Sequence, residues 1–292
     1  MSEQTQGFRF ASSFQAGELL SSVGYLPSVE ISSILFLADR LKKPILVEGP
    51  AGTGKTELAK STAKALGARL IRLQCHEGID ESKALYEWNY KKQLLHIQAD
   101  RRSESWKEVE ANIFSEEFLL ERPLLQAIRA KDPVVLLIDE VDRVEIETEA
   151  LLLEVLSDYQ ISIPELGTVV ANQIPLVFLT SNNTRELSEA LKRRCLFLFL
   201  DYPDKEREME IVLSKVPGVS KMLADSIVSF VGSLRELDLK KRPSISETLD
   251  WALTLVNLGL DEVDESVAKN TLNVLLKYRS DIVKASKGIL SS

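Results

Sequence analysis

The sequence predicts an α/β fold: a parallel five-stranded sheet flanked by helices, followed by an all-helical domain. Three observations carry this. Gly49-Pro50-Ala51-Gly52-Thr53-Gly54-Lys55-Thr56 is a glycine-rich loop between a short apolar run, Pro44 to Val47, and a segment of helical periodicity, Thr56 to Leu66. Val134 to Ile138 is apolar on both faces, as a central parallel strand must be, and ends in Asp139-Glu140. Beyond Pro203 strand signals stop and only helical periodicity continues.

Taken in order, residues 1–28 read as a mixed N-terminal arm without strong periodicity. Glu30 to Leu41 is a helix with Ile31, Ile34, Leu35, Ala38 and Leu41 on one side. The loop at 49–56 has two glycines four residues apart, then Lys and Thr, the spacing that cradles phosphates. Its backbone N–H groups would point at anionic oxygens, Lys55 would reach the β- and γ-phosphates of ATP, and the Thr56 hydroxyl would hold Mg2+. The helix leaving the loop stops at Gly67, and Arg69 to Leu73 is the second strand.

Residues 76–105 hold Tyr86, Trp88 and Tyr90 beside Lys91 and Lys92. Aromatics interleaved with lysines can stack single-stranded nucleic acid. A small packed or protein-contacting insertion is the better reading in an acidic chain. Trp106 to Ala130 is expected as two helical pieces broken near Pro123. Two carboxylates at the end of the buried 134–138 strand are costly without a cation. Asp139 would contact the shell of a nucleotide-bound Mg2+, and Glu140 is placed to orient and polarise water. The competing reading is a solvated strand end, since Asp142, Glu145, Glu147 and Glu149 follow.

Glu149 to Tyr159 is helical, and 160–172 alternates around Gly167 as a hairpin. Ile174 to Thr180 is a buried strand ending in Ser181-Asn182-Asn183. Glu186 to Arg194 is a short helix, and Leu196 to Leu200 is the fifth strand. Helices follow over Lys205–Val216, Lys221–Leu237, Ile245–Leu258 and Val267–Ala285, the third opened by a capping box of Ser244 and Glu247. The expected organisation is an arm at 1–28, an α/β nucleotide-binding domain at 29–202 and a helical domain at 203–292.

Composition narrows the function classes. The chain has 292 residues, 45% of them hydrophobic, enough for one large core or two smaller ones. A net charge of −8 disfavours non-specific binding to nucleic acid or anionic membrane. Cys75 and Cys195 form no CxxC pair and read as reduced core thiols. His76 and His96 are the only histidines, little material for zinc chemistry. Neither a bilayer-spanning run nor a secretory leader is visible in the sequence, so a cytoplasmic location is the expectation.

Together these residues resemble an AAA+ ATPase. Gly49 to Thr56 is similar to its Walker A motif and Val134 to Glu140 to its Walker B motif; Asn182 matches sensor 1, with Asn183 the alternative. The tail resembles the family's lid. Arg193 and Arg194 sit where the family places an arginine finger that acts on a neighbouring subunit's nucleotide, which implies a homo-oligomeric ring, usually a hexamer. The MoxR branch, particularly members similar to the CoxD type, is the nearer resemblance. It rests on residues 78–90, the hairpin at 160–172 and Leu191 to Cys195. That branch implies an ATP-driven chaperone that remodels or matures a client protein, often a metalloenzyme, commonly with a partner carrying a von Willebrand factor A (VWA) domain. One departure stands out: the sensor 2 arginine expected near the start of the lid's third helix has only Arg242, which precedes the helix cap. The rivals are a DNA-acting AAA+ motor or clamp loader, which would carry a basic stripe or winged-helix tail, and a small-molecule kinase, which would have no use for paired arginines.

Overall fold

Val134–Asp139 is buried on every residue and carries a parallel strand on either side. The computed structural model describes residues 8–99 and 112–288. Those residues form strands β1 (Ile45–Glu48), β2 (Arg69–Gln74), β3 (Tyr86–Trp88), β4 (Leu119–Glu121), β5 (Val134–Asp139), β6 (Gln160–Ile163), β7 (Gly167–Val170), β8 (Leu176–Ser181) and β9 (Leu196–Phe199). Five of them make one parallel sheet in the order β2-β5-β8-β1-β9, with β3-β4 and β6-β7 as separate antiparallel pairs. Parallel register sets the carboxyl ends of adjacent strands side by side, where open sheets of this kind bind ligands. Gln74 lies opposite Asp139, and Glu48 opposite Ser181.

The described residues separate into two compact units, those within 1–48 and 56–199, and those within 49–55 and 200–292. The first unit's core runs from Leu46, Ile71 and Leu73 through the β5 side chains to Val155, Ile161 and Leu179. Helices Val29–Leu41, Lys55–Ala65, Pro123–Arg129 and Ile146–Asp158 supply the flanking layers. The second unit is built from helices Lys205–Lys215, Lys221–Glu236, Ile245–Asn257, Glu265–Leu275 and Arg279–Gly288 around the fully buried Trp251. The expected capping box is present: Ser244 and Glu247 satisfy each other's backbone N–H groups at the start of Ile245–Asn257. Among the described residues no helix is long and apolar enough to cross a membrane.

Four expectations are corrected. The stretch read as an arm carries a helix, Ser13–Ser22, from residue 8 onward a packed part of the first unit. Phe10 is buried, Asp39 accepts its N–H at 3.1 Å, and Arg9 pairs with the same carboxylate at 2.9 Å. Around Pro123 the described part of 106–130 is a 3-10 turn (Glu116–Phe118), β4, and a helix that Pro123 starts, because proline at the first position lacks only an N–H the helix does not use. Residues 106–111 of that expectation lie outside the described residues. The last helix is two, since Leu276 turns extended (ψ 131). Asp281, opening the second, accepts the N–H groups of Lys240 and Lys241 at 3.1 Å each. Finally, the loop at 49–55 groups with the helical unit rather than with the α/β unit.

The insertion after β2 is packed around Trp88; its residues 100–105 lie outside the described residues. Trp88 is buried, with Tyr86 and Phe114 edge-on to it at 6.4 and 5.3 Å. Trp88 therefore offers no open face to a base. Tyr90 alone of the three aromatics is well exposed.

Candidate functional site

β5 delivers Asp139 to the carboxyl edge of the sheet, where the carboxylate is 2% exposed yet fully engaged. A buried carboxylate needs such partners to offset its lost hydration. Its Oδ1 accepts the Thr56 hydroxyl at 3.0 Å and the Thr180 hydroxyl at 2.5 Å. Its Oδ2 accepts Arg72 Nε at 3.0 Å, and the guanidinium's second arm closes an ion pair with it. Thr56 opens the helix that leaves the glycine-rich loop, so this pairing ties the loop's helix to β5. A hydroxyl and a carboxylate 3.0 Å apart are the hard oxygen donors that Mg2+ takes. On donor chemistry the residues fit that ion.

Glu140 follows in the left-handed region, φ 59, which takes its side chain off the strand line. Its N–H donates to Thr180 Oγ1 at 2.9 Å, so one threonine on β8 braces both acidic residues. Its carboxylate receives Gln74 Nε2 at 3.3 Å and pairs with Arg143 at 2.8 Å. Arg72 also donates to Gln74, so β2 presents a short chain of polar side chains reaching from Asp139 to Glu140. Alternation along β2 puts Arg72 and Gln74 on its more exposed side while Ile71 and Leu73 enter the core. Beside them Cys75 is buried. Burial first, then the charges of Asp139, Asp142 and Glu140, push its thiol up to about 12.

In the second unit, the loop's glycines are used where side chains will not fit. Gly49 (φ +151) would place a Cβ 2.0 Å from the Leu200 carbonyl oxygen, and Gly52 (φ +79) one 2.1 Å from Ser244 Oγ. Lys55 Nζ donates to the carbonyls of Gly49 and Pro50 at 2.7 and 2.6 Å, and Thr53 Oγ1 donates to Pro50 at 3.0 Å. The ammonium is thus held inside the loop's own curl, where a nucleotide's phosphates would compete for it. A loop bare of side chains at 49, 52 and 54, with a lysine folded into it, fits a phosphate chain.

Past β8 the chain is pinned by buried acids. Asp142 Oδ2 accepts the Thr184 N–H at 2.9 Å and its hydroxyl at 2.6 Å. Burial alone would raise the Asp142 carboxyl; the Thr184 bonds and the Asn182 N–H outweigh it and hold it below the usual range. Asn182 therefore sits in a segment fastened on its far side to the turn after Glu140, while Asn183 is exposed with φ 56. Glu149, also buried, takes an ion pair from Arg185 and the Ser188 N–H at 3.0 Å. Ser188 then caps the helix Glu189–Arg194.

That helix ends in the two candidate arginines, which have different surroundings. Arg193 is 81% exposed and only 4.0 Å from Glu189, at the limit of an ion pair. Arg194 is committed within the chain: Nε donates to Ser157 Oγ at 2.5 Å and Nη1 to the Ala190 carbonyl at 3.1 Å. Arg242 is exposed, immediately ahead of Pro243 and the Ser244 cap.

Arg72, Gln74, Thr180 and Thr184 escape a reading of the sequence. Only Arg72 leaves a trace there, as a charged residue alternating with Ile71 and Leu73 on a strand that precedes the acidic pair.

Comparison with known proteins adds a family. The profile of the AAA domain (dynein-related subfamily) matches residues 44–195, from the residue before β1 to the residue before β9. An uncharacterized protein of Staphylococcus haemolyticus is 26% identical over 226 residues, covering 75% of this chain and 78% of that protein. One of Staphylococcus saprophyticus is 25% identical over 227 residues with the same coverage. Among solved structures, the RuvB Holliday junction branch migration motor of Thermotoga maritima aligns with 91% of this chain and 72% of its own, at 18% identity and a TM-score of 0.46.

Proposed function

The chain belongs to the AAA domain family, dynein-related subfamily, and from that membership we propose a MoxR-type AAA+ ATPase that works as a ring and remodels or matures a client protein. The observation that carries the hydrolytic part is the joining of Thr56 to Asp139 at 3.0 Å with Glu140 next in the chain. In this reading Gly49 to Lys55 wrap the phosphates of ATP, with Lys55 exchanging its carbonyl partners for phosphate oxygens. Thr56 and Asp139 would hold Mg2+, which would supply positive charge against the anionic phosphates. Glu140 accepts a proton from the attacking water, and Asn182 orients that water toward the γ-phosphorus. An arginine from the neighbouring subunit steadies the charge that spreads over the leaving group. Arg193 suits that part better than Arg194, because its guanidinium is exposed and weakly held.

The client-remodelling part is supported by elements inserted into the α/β unit: the β3-containing segment after β2, and the β6-β7 hairpin just before β8. Both match positions on which the resemblance to the MoxR branch rests. A hexameric assembly, a VWA-domain partner and a metalloenzyme client follow from that resemblance. Substituting Glu140→Gln is the direct test. The variant is expected to bind ATP with Mg2+ as the unaltered chain does while turnover falls at least about a hundredfold. It should also capture a client from the native cell in an ATP-dependent manner. Undiminished hydrolysis by this variant removes Glu140 from the mechanism. Stimulation of the ATPase by DNA and by no protein would turn the assignment to a nucleic-acid motor.

A further inference from the structure

Asp139 is doubly committed, and its second commitment is a cation. Oδ1 takes two hydroxyls, from Thr56 and Thr180, and Oδ2 takes both arms of the Arg72 guanidinium. The carboxylate is 3% exposed at its side chain, while Arg72 is 46% exposed and reaches in from the edge strand of the sheet. A buried carboxylate must be neutralised or hydrogen-bonded, and a planar guanidinium does both. The same carboxylate is the group that the proposed function gives to Mg2+. Two cations then bid for one anion, and like charges a few ångströms apart repel.

We propose that Arg72 is a counter-cation built into the metal site: it pairs with Asp139 and aims its carboxylate before loading, and it raises the Mg2+ concentration at which the site fills. Arg72 acts through Asp139 and is a positioning residue. Its half-exposed position lets the guanidinium withdraw from Oδ2 into solvent once Mg2+ takes its place beside the buried carboxylate. Gln74, which accepts from Arg72, lies one step toward the exposed tip of β2 and offers it a resting partner. Nucleotide loading would thereby respond to free Mg2+ over a higher range than a bare threonine–aspartate pair would give.

This inference rests on the ATPase reading, and the experiment separates the two. Binding of a fluorescent ATP analogue is followed as Mg2+ is titrated, in a Glu140→Gln background so that nothing is consumed. Three versions are compared: Arg72 retained, Arg72→Lys and Arg72→Gln. Glutamine keeps an N–H donor for Asp139 without the charge. The Mg2+ midpoint of Arg72→Gln is expected to fall by about fivefold or more, as a cation a few ångströms from the ion would require even after solvent screening. Arg72→Lys should stay near the parent. If Arg72 only supports the local structure, losing it should weaken Mg2+ and nucleotide binding together; a midpoint that rises or stands still in Arg72→Gln overturns the inference. A parent chain that binds no nucleotide at any Mg2+ concentration overturns the ATPase reading itself.

Discussion

At position 140 the backbone leaves the strand through a left-handed turn, φ 59, that a glutamate adopts only where its surroundings enforce it. The enforcement is the Thr180 hydroxyl on its N–H. Single side chains of this kind set the behaviour of the site, and two expectations follow at this scale, the first from the paired arginines. Arg193→Ala should lower ATP turnover by about a thousandfold while leaving ATP affinity of the isolated subunit unchanged, the pattern of a group that acts on a neighbour. Arg194→Ala should instead lower stability through the lost Ser157 contact, read as a drop in the urea midpoint with turnover per folded molecule kept. A turnover defect that tracks Arg194 and spares Arg193 would exchange their parts. The second expectation concerns Asp142, whose carboxyl is held below its ordinary value in the folded chain. Its contribution is therefore present above the unfolded value of about 3.9 and drains away as pH falls through the lower folded value. Asp142→Asn should cost about 1–3 kcal/mol at pH 7, and the gap to the parent should shrink in denaturation curves taken near pH 3. An equal gap at both pH values would mean that the carboxylate's charge contributes nothing.

At the scale of elements, what the sequence discloses is whatever is encoded by neighbours in the chain. The glycine loop, the all-apolar β5, the β6-β7 hairpin and the Ser244–Glu247 cap are each written within a dozen residues, and each forms where the pattern put it. The Asp139 network is written across the chain instead: Arg72 lies 67 residues away and Thr180 41. No local period announces such partners, because only strand order brings them together. The same holds for the first helix, Ser13–Ser22, whose weak amphipathicity hid its packing on Val29–Leu41, and for the break at Leu276, made by the tertiary contacts of Asp281. The loop itself is the element least able to change. Gly49→Ala must push a methyl against a backbone carbonyl 2.0 Å away, with no flexible side chain to yield. A loss of about 3 kcal/mol or more is expected, seen as a lowered melting temperature together with loss of nucleotide binding. A variant that melts and binds normally would show that the chain at Leu200 moves aside freely.

For the molecule as a whole, the fold class follows from the order of elements, strands alternating with helices and then helices alone. The boundary within it does not, because the glycine loop is cut from its own strand and helix and grouped with the helical unit, Gly49 lying close to the Leu200 backbone and Gly52 to the Ser244 side chain. Assembly belongs to this scale too. If an arginine completes a neighbour's site, size-exclusion chromatography of Glu140→Gln should shift to a multimer on adding ATP and Mg2+, and turnover per subunit should rise with protein concentration. A monomer at every concentration that still hydrolyses ATP would rule out a shared site. The thiol beside the acidic pair has a practical corollary. With Cys75 and Cys195 both pushed up to about 12, almost no thiolate exists in the folded chain at neutral pH. With the half-buried Cys195 replaced by serine, a maleimide dye would stay dark until the end of β2 parts from β5, and the pace of its labelling would clock how often the sheet's carboxyl edge breathes.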